Sequence, residues 1–492
     1  MMNHPTPVCP SRRGAIRALG AASLLTLGNV SGSRTPAMAV TGGAPASLPS
    51  PGPVSPDRAG EPSEREKADR IREEFLHAWQ GYKRHAWGHD ELLPVTGGHR
   101  EFFADGHPVG LSIIEALDTH YVMGLDDEVA HCTKWIRTNL DFDIDAGFQV
   151  FEAVIRLVGG LVAGYLATGE RDLLTLCTDL ADRLLPAFTK SPTGMPYRHV
   201  NLRTGAVSGT VVPLAEIGTS ILEFGVLSDL TGDTRYVRAS KRALTEVVRR
   251  RSSLHLLGTS LNVETGAWAD RECAGVDPPV DSFHEYLWGG WAMFGDEDCL
   301  GWFRMFDASF KQHLVERVDG RLWFKHVDFR TGELLNRLQS SLAVDVLSVG
   351  GDNALAADYY RSWTAVREKY TVIPEEIDYS RITVTGPGNA LRPEYANCAF
   401  ELYWHTGDPF YRTTAWRHFQ DLTTHHRVPG GYTVVTDVTQ RPMAKGDYCP
   451  AYVFAENFKW LYLTFADTDR FDYAHGYLST EAKILRGLRH PS

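Results

Sequence analysis

Apolar residues along this chain gather into helix-length runs of two kinds. Some are apolar nearly all round, as from Phe151 to Tyr165 and from Phe400 to Trp404, whereas others, such as Tyr236 to Arg250, carry a charged face. A helix apolar on every side must be buried, and an amphipathic one lies outside it. Between the two kinds recurs a short acidic turn, usually with glycine: Gly124-Leu125-Asp126, Gly169-Glu170, Gly232-Asp233, Gly295-Asp296, Gly351-Asp352, Gly407-Asp408 and Ala466-Asp467. The spacings of 45, 63, 63, 56, 56 and 59 residues each accommodate two helices and their connections. Glycine supplies a left-handed cap that ends one helix, and the acid opens the next at its positive end. Seven turns predict seven helical hairpins, and buried runs alternating with amphipathic ones predict concentric rings: an all-α fold, an (α/α)7 barrel.

Three further stretches alternate and end in Thr-Gly: Val200 to Gly205, Leu261 to Gly266 and Val327 to Gly332. They read as short β-hairpins joining an outer helix to the next inner one. All should decorate the rim opposite the Gly-Asp turns.

The chain's start has a different character. Ser11-Arg12-Arg13, a mildly apolar run from Ala18 to Gly28, and Ala37-Met38-Ala39 form the layout of an export signal over residues 1–39, of the twin-arginine type. Residues 40–62 are rich in Pro, Gly, Ser and Ala and read as a linker, which leaves 63–492 as the expected barrel domain, exported to the periplasm or beyond. The 492 residues thus exceed an ordinary domain through repetition plus leader and linker. No later stretch is an uninterrupted apolar run long enough to span a membrane. The formal charge of −11, or −15 once the four arginines of the leader are removed, disfavours nucleic acid or an anionic membrane as partner. Of seven cysteines, Cys9 falls in the leader; the other six either pair as disulfides or stay as buried thiols, and none has metal-like spacing.

Acids recur ten to seventeen residues before the turns: Glu152, Glu216, Asp281 and Glu285, Glu394, and Glu456. A helical rise of 1.5 Å per residue carries them ~15–25 Å from the turn end, to the far mouth of the barrel. Each alone reads as a capping acid. A carboxylate beside Phe151 and Ile155, however, must be paired or functional, and Arg156 and Arg392 are available as partners. Acids gathered with arginines in a concave rim suit a hard cation or paired acid and base chemistry.

At these residues the sequence resembles glycoside hydrolase family 47, the class I α-1,2-mannosidases, and within it the ER degradation-enhancing mannosidase-like branch. The resemblance runs from about Ala78 to Ile484 through Ala86-Trp87-Gly88-His89-Asp90-Glu91-Leu92, Ala116-Leu117-Asp118-Thr119, Phe151-Glu152, Leu214-Ala215-Glu216, Asp281 to Tyr286, Leu391 to Glu394, Ala455-Glu456 and Ser479-Thr480-Glu481-Ala482. It implies a calcium-dependent, inverting exo-α-1,2-mannosidase that removes terminal mannose from mannose-rich glycans or mannan, acting as a monomer. It implies Glu152 as general acid, with Asp281 as an alternative, and Glu394 as general base. Thr480 would ligate Ca2+ by carbonyl and hydroxyl from a C-terminal hairpin that plugs the barrel at the turn end. Glu216, Glu285, Glu456 and Glu481 would hold waters around the ion, and Arg156 and Arg392 would place the carboxylates.

The chain departs from the family at Pro279, which stands where the processing enzymes carry arginine, at Leu338 to Asp352, at Cys449 to Tyr452, and at Lys483, which replaces histidine. These positions bear on which glycan is accepted. Two other functions compete: a mannose-binding module without turnover, which should lack one of the acids, and a barrel enzyme for another linkage. A polysaccharide lyase among the latter would need a basic cleft.

Overall fold

The computed structural model describes residues 61–346 and 353–490, so the leader, nearly all of the linker and the turn at Gly351-Asp352 lie outside the described residues. An (α/α)7 barrel is what the chain forms. The inner helices are Leu111–Glu115 continued by Leu117–Val122, Val150 to Thr168, Leu214–Gly218 continued by Ile221–Thr231, Asp281–Phe294, Glu394–Thr406 and Val453 to Phe465. A fifth inner position begins with the short turn Ser341–Ala343. Outer helices follow at Asp126–Asn139, Arg171–Thr189, Arg235–Arg249, Glu297–His313, Asn353–Tyr370 and Pro409–His425. Glycines 124, 169, 232, 295 and 407 all have φ near +70°, the left-handed turn that the spacing called for. Asp296 and Asp408 then cap the outer helices by accepting from Cys299 and Phe410 N–H groups.

The seventh hairpin departs from expectation. Ala466-Asp467 ends an inner helix but opens no outer one. Its outer partner is the N-terminal helix Glu64–His85, started by a reciprocal capping box between Ser63 and Glu66. On this helix Phe75 packs edge-on to Phe454 and Phe458 of the seventh inner helix and to His120 of the first. The ring is therefore closed by the two ends of the domain, and a local repeat count has no access to that pairing. Gly81 permits it, since a Cβ there would stand 1.8 Å from the Gly430 carbonyl oxygen.

Short antiparallel pairings stitch the open ends of the second to seventh hairpins. The strand before an inner helix pairs with the strand after its outer helix: Gly147–Gln149 with His199–Asn201, Val211–Pro213 with Ser260–Asn262, Glu272–Cys273 with His326–Asp328, and Leu338–Ser340 with Glu376–Asp378. Single bridges, Asn389 to Val435 and Leu92 to Cys449, do the same for the sixth and seventh hairpins. The three Thr-Gly hairpins all fall on this rim. The helix Val150–Thr168 is long and apolar enough to cross a membrane, but it forms part of the inner wall. Cys132, Cys177, Cys273, Cys299, Cys398 and Cys449 are buried free thiols, which decides between the two readings of the cysteines.

The opposite end of the barrel is filled by the C-terminal hairpin Tyr477–Leu478 and Ile484–Arg486. It enters from the turn end, where Tyr121 donates to the Arg489 carbonyl and Arg486 to the Ala292 carbonyl. Its tip is held by four fully buried charges. Lys483 Nζ donates to Glu115 at 2.7 Å, and Lys459 Nζ donates to both Asp118 oxygens at 2.8 Å and to the Ala482 carbonyl at 2.7 Å. Asp118 also accepts the Ile484 N–H, so the first and seventh inner helices grip the tip from both sides.

Two outcomes follow from ring closure and clamp. Phe75→Ala should lower unfolding free energy by about 3–5 kcal/mol in denaturant titrations. Lys483→Met should cost about 3–5 kcal/mol, because Glu115 is left buried without its partner; adding Glu115→Leu should recover much of that loss. A double-mutant cycle in urea with no coupling between the two positions would contradict the clamp.

Candidate active site

Each inner helix begins at the ladder rim, so the acids at its first turns converge on the barrel axis. They line a cavity of about 270 Å³. Every residue singled out from sequence is on its wall: Glu152, Arg156, Glu216, Asp281, Glu285, Arg392, Glu394, Glu456, Thr480 and Glu481. The helices that carry Glu152 and Glu456 are not regular α-helices as the sequence suggests. Both contain a π-helical segment, Ala153–Val158 and Val453–Asn457, whose extra residue re-aims the side chains beside it.

Arg156 is the hub of the wall. Its Nε donates to Glu152 at 2.6 Å, and its Nη1 donates to Glu481 at 2.7 Å and lies 3.5 Å from Glu115. Phe102 and Tyr452 flank the guanidinium at 5.3 and 5.7 Å. Since Lys483 satisfies the other Glu115 oxygen, Arg156 stays committed to the two cavity carboxylates. Burial, opposed by Arg156, pushes the Glu481 carboxyl up to about 7.

Arg392 is placed differently from the sequence expectation. Its Nε donates to Glu375 at 2.9 Å, not to a cavity acid, and Glu375 also accepts the Ala390 N–H. Leu391, just before it, has φ of +63°, strained for leucine, and is held there by Asn389 and by Asn457, which binds its carbonyl. This local constraint aims Arg392 and Glu394. Burial drives the Glu394 carboxyl well above the usual range, with Arg392 opposing and Asp345 adding to it, and its buried Oε2 has no hydrogen-bond partner among the described residues. Asp281 is pushed up to about 6 by burial, against the pull of the Ser282 N–H at 3.0 Å. Glu456 is likewise raised well above its ordinary value by burial and by Glu481. Both oxygens of Glu216 are engaged by Arg198, at 2.8 and 2.9 Å.

Asp345, Glu115, Arg198 and Glu375 belong to this constellation and were missed. Asp345 lines the cavity, accepts from Asn397 at 2.6 Å and is raised well above its usual value, chiefly by burial and then by Glu285. Glu115 stands in Ile-Ile-Glu-Ala-Leu, so the criterion that found Glu152, an acid inside an apolar run, would have found it too. Arg198 and Glu375 carry no such signal, because they reach the site from rim strands and loops.

Pro278 and Pro279 wall the same cavity, and behind them His326 bridges Asp277 at 2.9 Å and Glu272 at 2.8 Å. Burial opposes its charge, yet the two carboxylates raise it to about 9. Its folded value therefore exceeds the unfolded one, near 6.5, and the stabilisation is complete below that pH and lost as pH rises through about 9. Unfolding free energy should fall by on the order of 2–3 kcal/mol across this window, and His326→Gln should flatten that slope.

Residues 74–487 match the family model described as glycosyl hydrolase family 47. The chain is 34% identical over 438 residues to an alpha-mannosidase I of Arabidopsis thaliana, covering 83% of this chain and 75% of that protein. It is also 34% identical to the mannosyl-oligosaccharide 1,2-alpha-mannosidase IB of Mus musculus, covering 87% of this chain and 72% of that one. Among solved structures, an alpha-1,2-mannosidase from Trichoderma reesei superposes with a TM-score of 0.78 at 24% identity, over 87% of this chain and 100% of that one, which shows the fold. With its barrel, its acid-lined mouth and these relatives, the chain belongs to glycosyl hydrolase family 47.

Proposed function

We propose that this glycoside hydrolase is an exo-α-1,2-mannosidase that removes terminal mannose from mannose-rich glycans or mannan with inversion at the anomeric carbon. The observation that carries the reading is the acid-lined cavity in which Glu152, Asp281 and Glu394 come from three separate inner helices. A pocket of about 270 Å³ closed at its base by the C-terminal hairpin suits one terminal sugar ring rather than the middle of a chain.

An inverting reaction needs an acid and a base on opposite faces of the sugar, ~6.5–9.5 Å apart, with a water on the base's side. In this reading Glu394 takes the proton of that water while its oxygen forms the new bond to the anomeric carbon. The glycosidic bond breaks, and the leaving oxygen takes a proton from Glu152. Arg156 holds Glu152 in place. Asp281, which burial inclines to hold a proton, is the alternative acid.

The residues fit a hard cation. Among the described residues eight carboxylates face two arginines in the cavity, no histidine or cysteine lines it, and Glu394 presents a buried oxygen with no hydrogen-bond partner. Thr480 would hold calcium by its carbonyl and hydroxyl, with Glu216, Glu285, Glu456 and Glu481 ordering its waters. When bound, the ion supplies a charge that attracts neutral sugar hydroxyls and favours ring distortion. The Thr480 backbone rests on the Tyr286 phenol, which in turn donates to buried Glu223 at 2.6 Å, so its position is fixed from beneath. Export through the residue 1–39 leader by the twin-arginine route, with residues 40–62 as linker and the domain acting as a monomer, completes the proposal.

The mature protein should release β-mannose first from α-1,2-mannobiose, followed by NMR, and a calcium chelator should abolish release. Glu394→Gln should reduce kcat by about 10²-fold or more while binding persists. First-formed α-mannose would overturn inversion. Binding without release by the unaltered protein would leave a lectin-like module instead.

A further inference from the structure

Outside the acid cavity, the hairpin Glu91–Leu93 and Gly98–Arg100 gathers donors of another kind. The His89 and His99 rings stack with centroids 3.4 Å apart and planes 14° from parallel. His89 Nδ1 hydrogen-bonds Glu101 at 2.6 Å, and one ligand atom from each of His89, His99 and Glu101 lies within 4.8 Å of the others. We propose that His89, His99 and Glu101 form a second metal site, for a first-row divalent ion of the zinc class, separate from the acid-lined cavity.

The donor set selects the metal. Two imidazoles and one carboxylate suit zinc, cobalt or nickel, whereas calcium takes oxygen ligands. Metal-to-nitrogen distances of about 2.0–2.1 Å need donor separations below about 4.2 Å, and the lone pairs of stacked rings run side by side, so closure requires the exposed His99 ring to turn out of the stack. His99 is exposed, and His89 and Glu101 are partly so, which leaves an open position for water.

The base beneath them is fixed. Glu101 Oε2 accepts the Asp90 N–H at 3.2 Å, and the buried Asp90 carboxylate accepts the N–H groups of Phe102, Val109 and Leu111 at 2.9 to 3.1 Å. His99 is pinned opposite Leu92 in the ladder. Glu101 thus has one oxygen anchored on the backbone and the other beside His89 Nδ1, the two atoms an ion would join on displacing the proton they share. The segment then runs directly into Phe102, which packs on the Arg156 guanidinium, so an ion here would stiffen one wall of the active site.

The test uses the full mature chain in excess calcium, titrated with Co2+ and followed by its visible absorption, and with Zn2+ by calorimetry. One tight site per chain should appear. His99→Ala, at an exposed position, should weaken it at least tenfold, and Glu101→Gln should do the same, with circular dichroism and melting temperature unchanged for His99→Ala. Equal affinity in the unaltered protein and His99→Ala would place the metal elsewhere and overturn the proposal, as would no binding at millimolar metal.

Discussion

Everything at the mouth of this barrel depends on charges buried beneath it. The tip of the C-terminal hairpin carries Thr480 and Glu481 into the axis, and it stays there because Lys483 and Lys459 meet Glu115 and Asp118 with essentially no access to water. Such pairs contribute little net stability compared with apolar packing, but a misplaced hairpin would leave Lys483 and Glu115 unpaired and strip the Lys459–Asp118 pair of the Ala482 carbonyl and Ile484 N–H, which is far more costly. The clamp therefore specifies position. Through Glu115 it also reaches Arg156, and through Arg156 it reaches both Glu152 and Glu481.

Fold and chemistry share the same elements. Rim ladders and single bridges tie the starts of the second to seventh inner helices to the ends of their outer partners, next to the first turns that bear the acids. The π-helical turns beside Glu152 and Glu456 and the left-handed backbone at Leu391 are departures from regular structure confined to this rim. Burial and mutual repulsion raise the proton affinities of carboxylates gathered this densely, as at Asp281, Glu394 and Glu456. That is the electrostatic condition a hard cation relieves.

Lys483, noted in the sequence as a replacement for histidine, acquires its meaning only here. An ammonium on a long stem reaches Glu115 across the hairpin tip, and the same residue packs against Gly159 of the second inner helix. Arg392 shows the converse: its type suggested a partner for the cavity carboxylates, but its hydrogen bond goes to Glu375, leaving only its field to act on Glu394.

By itself, the sequence determined what is periodic or local. Glycine-acid turns end helices through backbone conformation, the two kinds of helical run announce inner and outer rings, and an acid in an apolar run marks a buried site, so the barrel and eight of the ten cavity residues were legible from the pattern, while Thr480 and Glu481 came from the family resemblance. Tertiary structure decided what joins distant segments: closure of the ring by Glu64–His85, the partners of Glu216 and Arg392, and the place of Asp345 among the acids. These are contacts between residues as much as several hundred positions apart, and no local spacing encodes them. Only packing, which must pair every buried charge, selects them.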